Sequence, residues 1–174
     1  MNPTRVLYPG RFQPLHLGHL QVIMDLLSRY DEIVILIGSA QEAFTCRNPF
    51  TAGERMEMID SVLRARGVGR DRYWLIPVPD INKPLAWTSY VLGMAPRVDA
   101  VATGNPHVSY IFKWMGFKVI DLELRDPDRY NGTIIRKLIC SGGEWRDRVP
   151  GEVAEYMDMI NGVERMRRVC SNAC

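Results

Sequence analysis

The chain has 174 residues, of which 47% are hydrophobic and 24% charged; the length suits one domain and the composition excludes a disordered chain. Its 22 basic and 20 acidic side chains leave a formal charge of only +2, without the basic excess of a general nucleic-acid binder. Apolar runs stop short of the roughly 18 residues of a membrane span, and the opening Met-Asn-Pro-Thr-Arg lacks a secretory h-region, so the sequence predicts a cytoplasmic protein with no membrane partner.

Taken in order, residues 5–8 form a β-like run that stops at Pro9-Gly10. Leu20, Ile23, Met24 and Leu27 recur at helical spacing and predict an amphipathic helix over about 17–29. Ile33 to Ile37 is a continuous apolar run ending at Gly38, as in a strand buried on both faces. Thr51 and Glu54 read as a capping box opening a helix to about 66, with Met58, Ile59, Val62 and Leu63 as its stripe. Strands are expected over about 73–78, 99–103 and 118–122, and helices over about 84–94 and 106–115. Two further helices, about 132–141 and 150–161, follow with no strand between them. The alternation predicts an α/β fold: a Rossmann-like doubly wound parallel sheet with helices on both faces and a short helical C-terminal part. One domain, 1–174, would hold a sheet part of about 4–125 and a helical part of about 130–170. Four cysteines, Cys46, Cys140, Cys170 and Cys174, form no Cys-x-x-Cys pair, which argues against zinc and predicts mostly free thiols, with Cys170–Cys174 as the minor pairing.

In such sheets ligands bind beyond the carboxyl ends of the strands, which directs attention to residues 9–17, 39–50, 79–84 and 104–107. The first of these leads into Gly10-Arg11-Phe12-Gln13-Pro14-Leu15-His16-Leu17-Gly18-His19. Two histidines three apart can face the same way at the start of a helix. Unpaired N–H groups there favour phosphate, Gly18 would admit it close to the backbone, and imidazole donors could stabilise charge growing on a phosphoryl group. A lone histidine would more simply cap the helix. The whole string breaks local propensity at the point where the fold places its ligand, and that favours function.

This string resembles the His-x-Gly-His signature of the nucleotidyltransferase superfamily. The wider match is similar to the archaeal-type nicotinamide mononucleotide (NMN) adenylyltransferases: Ile37-Gly-Ser-Ala-Gln41, Asn48 to Arg55, Asp80 with Trp87, Thr103-Gly-Asn-Pro106, Gly132-Thr-x-x-Arg136 and Ile160 to Arg165 follow in order across nearly the whole chain. The resemblance implies that His16, His19, Arg11, Arg47 and Arg136 are catalytic. It implies an ATP site of Gly10, Arg11, Phe12, His16, Gly18, His19, Gly38, Ser39, Arg47, Gly104, Asn105, Asn131, Gly132, Thr133 and Arg136. It places the nicotinamide mononucleotide at Asp80, Ile81, Asn82 and Trp87. Asn131 stands where the family typically has Ser, and it keeps hydrogen-bonding capacity as an N-cap. Position 84, Asn in the family pattern, is Pro here, which removes an amide side chain and a backbone N–H together; Asn82 or Lys83 is the available substitute.

The chemistry implied is adenylyl transfer. The mononucleotide's 5′-phosphate is already anionic, so positioning and charge stabilisation suffice, and no Ser–His or Cys–His nucleophile is needed. Mg²⁺ would bridge phosphate oxygens largely through water, so no protein metal ligand is expected. The resemblance also implies a homo-oligomer, up to a hexamer. Three alternatives stay open: the same reaction on another phosphomonoester (nicotinate mononucleotide, phosphopantetheine or FMN), a non-catalytic nucleotide sensor, and RNA binding through Arg165-Met-Arg-Arg168, whose arginines more simply complement a helix C-terminus.

Overall fold

Five short apolar runs become five parallel strands in a computed structural model that describes residues 3–123 and 126–171. They are β1 (Arg5–Gly10), β2 (Glu32–Ile37), β3 (Tyr73–Pro77), β4 (Ala100–Thr103) and β5 (Val119–Asp121), in the sheet order β3-β2-β1-β4-β5. The chain runs outward from β1 through β3, then returns to lay β4 on the other side of β1, with Val6 opposite Ala100 and Leu7 opposite Val101. That reversal opens a crevice at the carboxyl ends of β1 and β4, the switch point of a doubly wound sheet.

The period of two along each strand sorts the core into two layers. Ile33, Ile35 and Ile37 of β2 face the larger one, with Val6 and Tyr8 of β1. It is covered by α1 (Leu17–Leu27), α2 (Ala52–Ala65), α5 (Gly132–Ser141), α6 (Gly151–Met159) and α7 (Gly162–Ser171). Val34, Leu36 and Leu7 face the smaller layer, closed by Val91 of α3 (Pro84–Met94) and Phe112 of α4 (Pro106–Trp114). The predicted capping box is present: Thr51 Oγ1 accepts from Glu54 N at 3.1 Å and Glu54 Oε2 accepts from Thr51 N at 2.9 Å. No described helix is long and apolar enough to cross a membrane.

The structure adds a helix at the C-terminal end and corrects the expected state of the cysteines. Beyond the helix that ends near 160, Asn161 turns the chain in the left-handed region (φ 53), a conformation Asn tolerates well, and α7 folds back with Met166 fully buried. Arg165 donates to Glu54 Oε2 at 2.7 Å, Arg167 to Ile139 O at 3.4 Å and Arg168 to Glu164 at 3.0 Å, so the basic cluster is engaged with the protein itself. The thiols are not free either. Cys170 is bonded to Cys140, not to Cys174, which lies outside the described residues. The packing of α7 on α5 brings the two Cα atoms to 6.2 Å, within the usual span of a disulfide, and the Cys46 sulfur lies 3.7 Å from that of Cys170.

Candidate active site

His16 and His19 stack at the entrance to α1, ring centroids 3.5 Å apart and planes 20° from parallel. The simple reading, in which a single histidine caps the helix, is replaced by a reciprocal cap. His16 Nδ1 accepts from His19 N at 3.3 Å, and His19 Nδ1 accepts from His16 N at 3.4 Å. Two imidazoles thus occupy the places of Ser and Glu in an ordinary capping box. With both Nδ1 atoms accepting, each neutral ring carries its proton on Nε2. Burial keeps the rings neutral: it lowers His16 to about 4 and, together with the neighbouring His16, holds His19 well below the usual value.

Two glycines make the arrangement possible, for reasons other than ligand approach. A Cβ on Gly18 would lie 2.8 Å from Tyr130 Cβ and 3.2 Å from His16 Nδ1; one on Gly10 would lie 2.7 Å from the ring of Phe12. Phe12, at φ 50 and fully buried, packs 4.8 Å from the His19 ring. Its side chain packs on His19 and lines neither of the cavities that most of the other expected ATP-site residues border.

Two cavities of about 540 Å³ each meet at the switch point, sharing Pro9, Thr103 and Asn105 as a common wall. The first is lined by His16, Gly18, His19, Gly104, Asn105, Asn131 and Gly132, with Tyr8 and Tyr130. The second is lined by Gly10, Arg11, Gly38, Ser39, Arg47, Asp80, Ile81, Asn82 and Trp87. Asn131 caps α5 by accepting from Thr133 N at 2.9 Å, and Asn105 caps α4 by accepting from His107 N at 2.9 Å and Val108 N at 3.3 Å.

Thr133 and Arg136 line neither cavity. Arg136 is buried, donating to Gln13 O at 2.9 Å and Thr133 Oγ1 at 3.1 Å. Burial first, then Arg11 and Arg47, lowers it to about 10. Arg11 is lowered by burial and by Arg47, with Asp80 opposing. The three arginines therefore repel one another across a small volume, an arrangement that an anion would relieve.

The second cavity's outer wall is built differently. Pro84 is the first residue of α3, where a missing N–H costs nothing. Asn82 lines the cavity and Lys83 does not, so the amide side chain in this wall is that of Asn82. Trp87 is half-buried against the smaller core. Gln41 holds the loop, accepting from Asp80 N at 3.0 Å and donating to Asp80 Oδ2 at 3.5 Å.

Sequence reasoning passed over Gln13 and Arg55. Buried Gln13 makes a paired bond with the Phe50 backbone, 2.9 Å and 3.0 Å; Arg55 is fully buried. A polar residue at the apolar stripe of a helix, as Arg55 is beside Met58 and Ile59, is the one signal that could have flagged it.

The cytidylyltransferase-like family matches residues 7–138. A nicotinamide-nucleotide adenylyltransferase of Pyrococcus horikoshii is 45% identical over 97% of this chain and 90% of its own length. One of Saccharolobus solfataricus is 46% identical over 95% of this chain and 96% of its own. Among solved structures, a bifunctional NMN adenylyltransferase/ADP ribose pyrophosphatase from Francisella tularensis, complexed with AMP and a manganese ion, superposes with a TM-score of 0.78. It is 21% identical, with 96% of this chain and 52% of that one covered; at that identity the likeness is one of fold. On the strength of the long, near-complete matches, the chain belongs to the cytidylyltransferase-like family and, within it, to the nicotinamide-nucleotide adenylyltransferases.

Proposed function

We propose that this protein joins ATP and NMN to give NAD and pyrophosphate. The 5′-phosphate oxygen of NMN attacks the α-phosphorus in line, and the bond from that phosphorus to the α,β-bridging oxygen breaks, so that this oxygen leaves as a terminal oxygen of pyrophosphate. The observation that carries the reading is the stacked pair at the mouth of α1, with both Nδ1 atoms spent on the backbone and both Nε2–H groups left as donors. These are fixed, neutral, partly desolvated donors at the place where charge develops, the arrangement that stabilises a transferring phosphoryl group. Arg11 and Arg47 take the triphosphate and the departing pyrophosphate. Arg136 contributes its charge from behind Gln13. The first cavity receives the adenylyl half, with Gly104, Asn105, Asn131 and Gly132 around it. Asp80, Ile81, Asn82 and Trp87 hold the mononucleotide.

The donors of this site, imidazole and guanidinium N–H, suit phosphate and not a dication, and no group of three metal-ligating side chains occurs among the described residues. No side chain of this chain is assigned to hold Mg²⁺; carried in with the triphosphate, the ion would supply charge neutralisation on the leaving group. Residues 1–174 act as one unit, because the larger core runs from the sheet into α5, α6 and α7. The supply of ATP places the work in the cytoplasm. Exposed Leu85 on α3 and Tyr110 and Trp114 on α4, which line one shallow hollow, offer an apolar face for self-association, up to the hexamer, readable by light scattering.

Pro84 in the acceptor wall favours one second reading, the same reaction on a different phosphomonoester. The experiment supplies ATP and Mg²⁺ with one acceptor at a time (NMN, nicotinate mononucleotide, phosphopantetheine, FMN) and follows pyrophosphate. Fastest release with NMN supports the proposal. Faster release with another acceptor replaces the substrate, and ATP binding without release on any acceptor replaces the enzyme by a sensor.

A further inference from the structure

Arg55 is fully buried on α2, yet none of the ion pairs among the described residues includes it. Its four donated hydrogen bonds all go to backbone carbonyls. Nη1 reaches Arg11 O at 2.8 Å and Gly38 O at 2.7 Å, Nη2 reaches Ser39 O at 3.1 Å, and Nε reaches Thr51 O at 3.2 Å. A buried cation without a carboxylate is costly and needs a reason.

The carbonyls identify one. Gly38 and Ser39 follow β2 and Arg11 follows β1, and the side chain of Arg11 and the turn at Gly38-Ser39 both line the second cavity. Ser39 sits at φ 50, and so does Phe12, whose peptide nitrogen is joined to the Arg11 carbonyl. A non-glycine residue in that region is held there by its surroundings. Here the same guanidinium grips the peptide of each. Parallel strands also end in carbonyl oxygens that would face an anionic ligand with negative charge; Arg55 covers three of them and leaves its own charge uncancelled by any carboxylate in contact.

We propose that Arg55 is a positioning residue for the phosphate end of the site: it fastens the ends of β1 and β2 to each other and to the start of α2, and so presents Arg11 and the Ser39 turn to the triphosphate and pyrophosphate. The inference rests on the proposed adenylyl transfer only for the identity of the anion. Like-charge repulsion with Arg11 and attraction to Asp80 register in the lowering of Arg55 to about 10, after burial as the main cause, which places it electrically within the same cluster.

The test is a binding cycle with Arg55→Lys and Arg11→Ala, singly and together, titrated with pyrophosphate and with ATP by calorimetry. Lysine keeps the charge but cannot span four carbonyls. The expected result is about a tenfold weaker affinity for both ligands in Arg55→Lys, with KM for ATP raised and KM for NMN within about twofold. Arg11→Ala should then cost much less in the Arg55→Lys background than in the natural chain, because the two act through one loop. Arg55→Gln, which keeps two donors, is the second variant should lysine prevent folding. Additive losses, or unchanged affinities with only a lower melting midpoint, overturn the proposal and leave Arg55 as core packing. The two readings fail separately: pyrophosphate binding and coupling without NAD formation sinks the reaction alone, and NAD formation without coupling sinks the clamp alone.

Discussion

At the end of β1, above the larger core, the loop is fastened from several directions. Arg55 holds the Arg11 carbonyl, Arg136 holds the Gln13 carbonyl, the Gln13 side chain pairs with Phe50, and the histidine cap closes the far end. At the end of β3, over the smaller core, side-chain bonding of the loop to its neighbour comes from the exposed Gln41 on Asp80, and Asn82, Lys83 and Pro84 are exposed. The difference follows the chemistry proposed for each. Phosphoryl transfer needs donors fixed to a fraction of an ångström, because misplacement forfeits the transition state. Acceptor recognition needs shape and a few polar groups, which a looser wall can supply. The wall with least bracing is also the one in which Pro84 departs from the family pattern.

The largest effect should come from the braced end. Replacing His19 with Ala removes a donor and opens the cap; kcat should fall about 10²–10³-fold while ATP affinity changes far less, and equal losses in both would make His19 a binding residue only. Next, reduction of Cys140–Cys170, which closes a span of 30 residues, should lower unfolding free energy by about 3–4 kcal/mol, as seen in urea with and without a dithiol reductant; no change would show that α5 and α7 hold without it.

The histidine pair adds a pH signature. His16 is depressed to about 4 from an ordinary value near 6.5, so the unfolded chain binds more protons between these limits. Stability is complete above about pH 6.5 and is lost as pH falls toward about 4, by roughly 2–3 kcal/mol. His16→Asn, which keeps a cap acceptor but does not titrate in this window, should flatten that slope; an unchanged slope would assign it elsewhere. Smaller again is the contrast between two glutamines. Gln13→Ala leaves a buried N–H and C=O of Phe50 unanswered and should cost about 2 kcal/mol, whereas Gln41→Ala, on an exposed pair, should cost below about 1 kcal/mol and raise KM for the acceptor alone. Similar costs at both positions would erase the distinction between the two ends.

The sheet could be read from the chain because its signals are local. The run Ile33 to Ile37 has one reasonable fate, and Thr51 with Glu54 marks a helix start by chemistry that needs no partner elsewhere. The helix α7 was missed because its stabilising contacts are distant: Met166 is buried by the larger core, and Arg165 meets Glu54, 111 positions away. The same holds for Cys140 and Cys170, which spacing alone cannot pair. In the site, the ligand-facing string from Gly10 to His19 was visible as a break in propensity. Its internal roles were not. Whether Phe12 faces a nucleotide or the underside of His19, and whether Arg136 reaches a cavity or the Gln13 carbonyl, depends on loop geometry that no periodicity encodes.

The reciprocal cap has a bearing on how such a chain can change over time. Each histidine answers the other's amide, so a substitution at either position that brings no acceptor strips its partner of a mate and loses a donor at the same stroke. Serine with glutamate could mend the helix but would bring an acid to a place that must welcome phosphate. The two positions are therefore tied through one cap: an alanine at either forfeits capping and donation together, and neither neighbour can make good both losses.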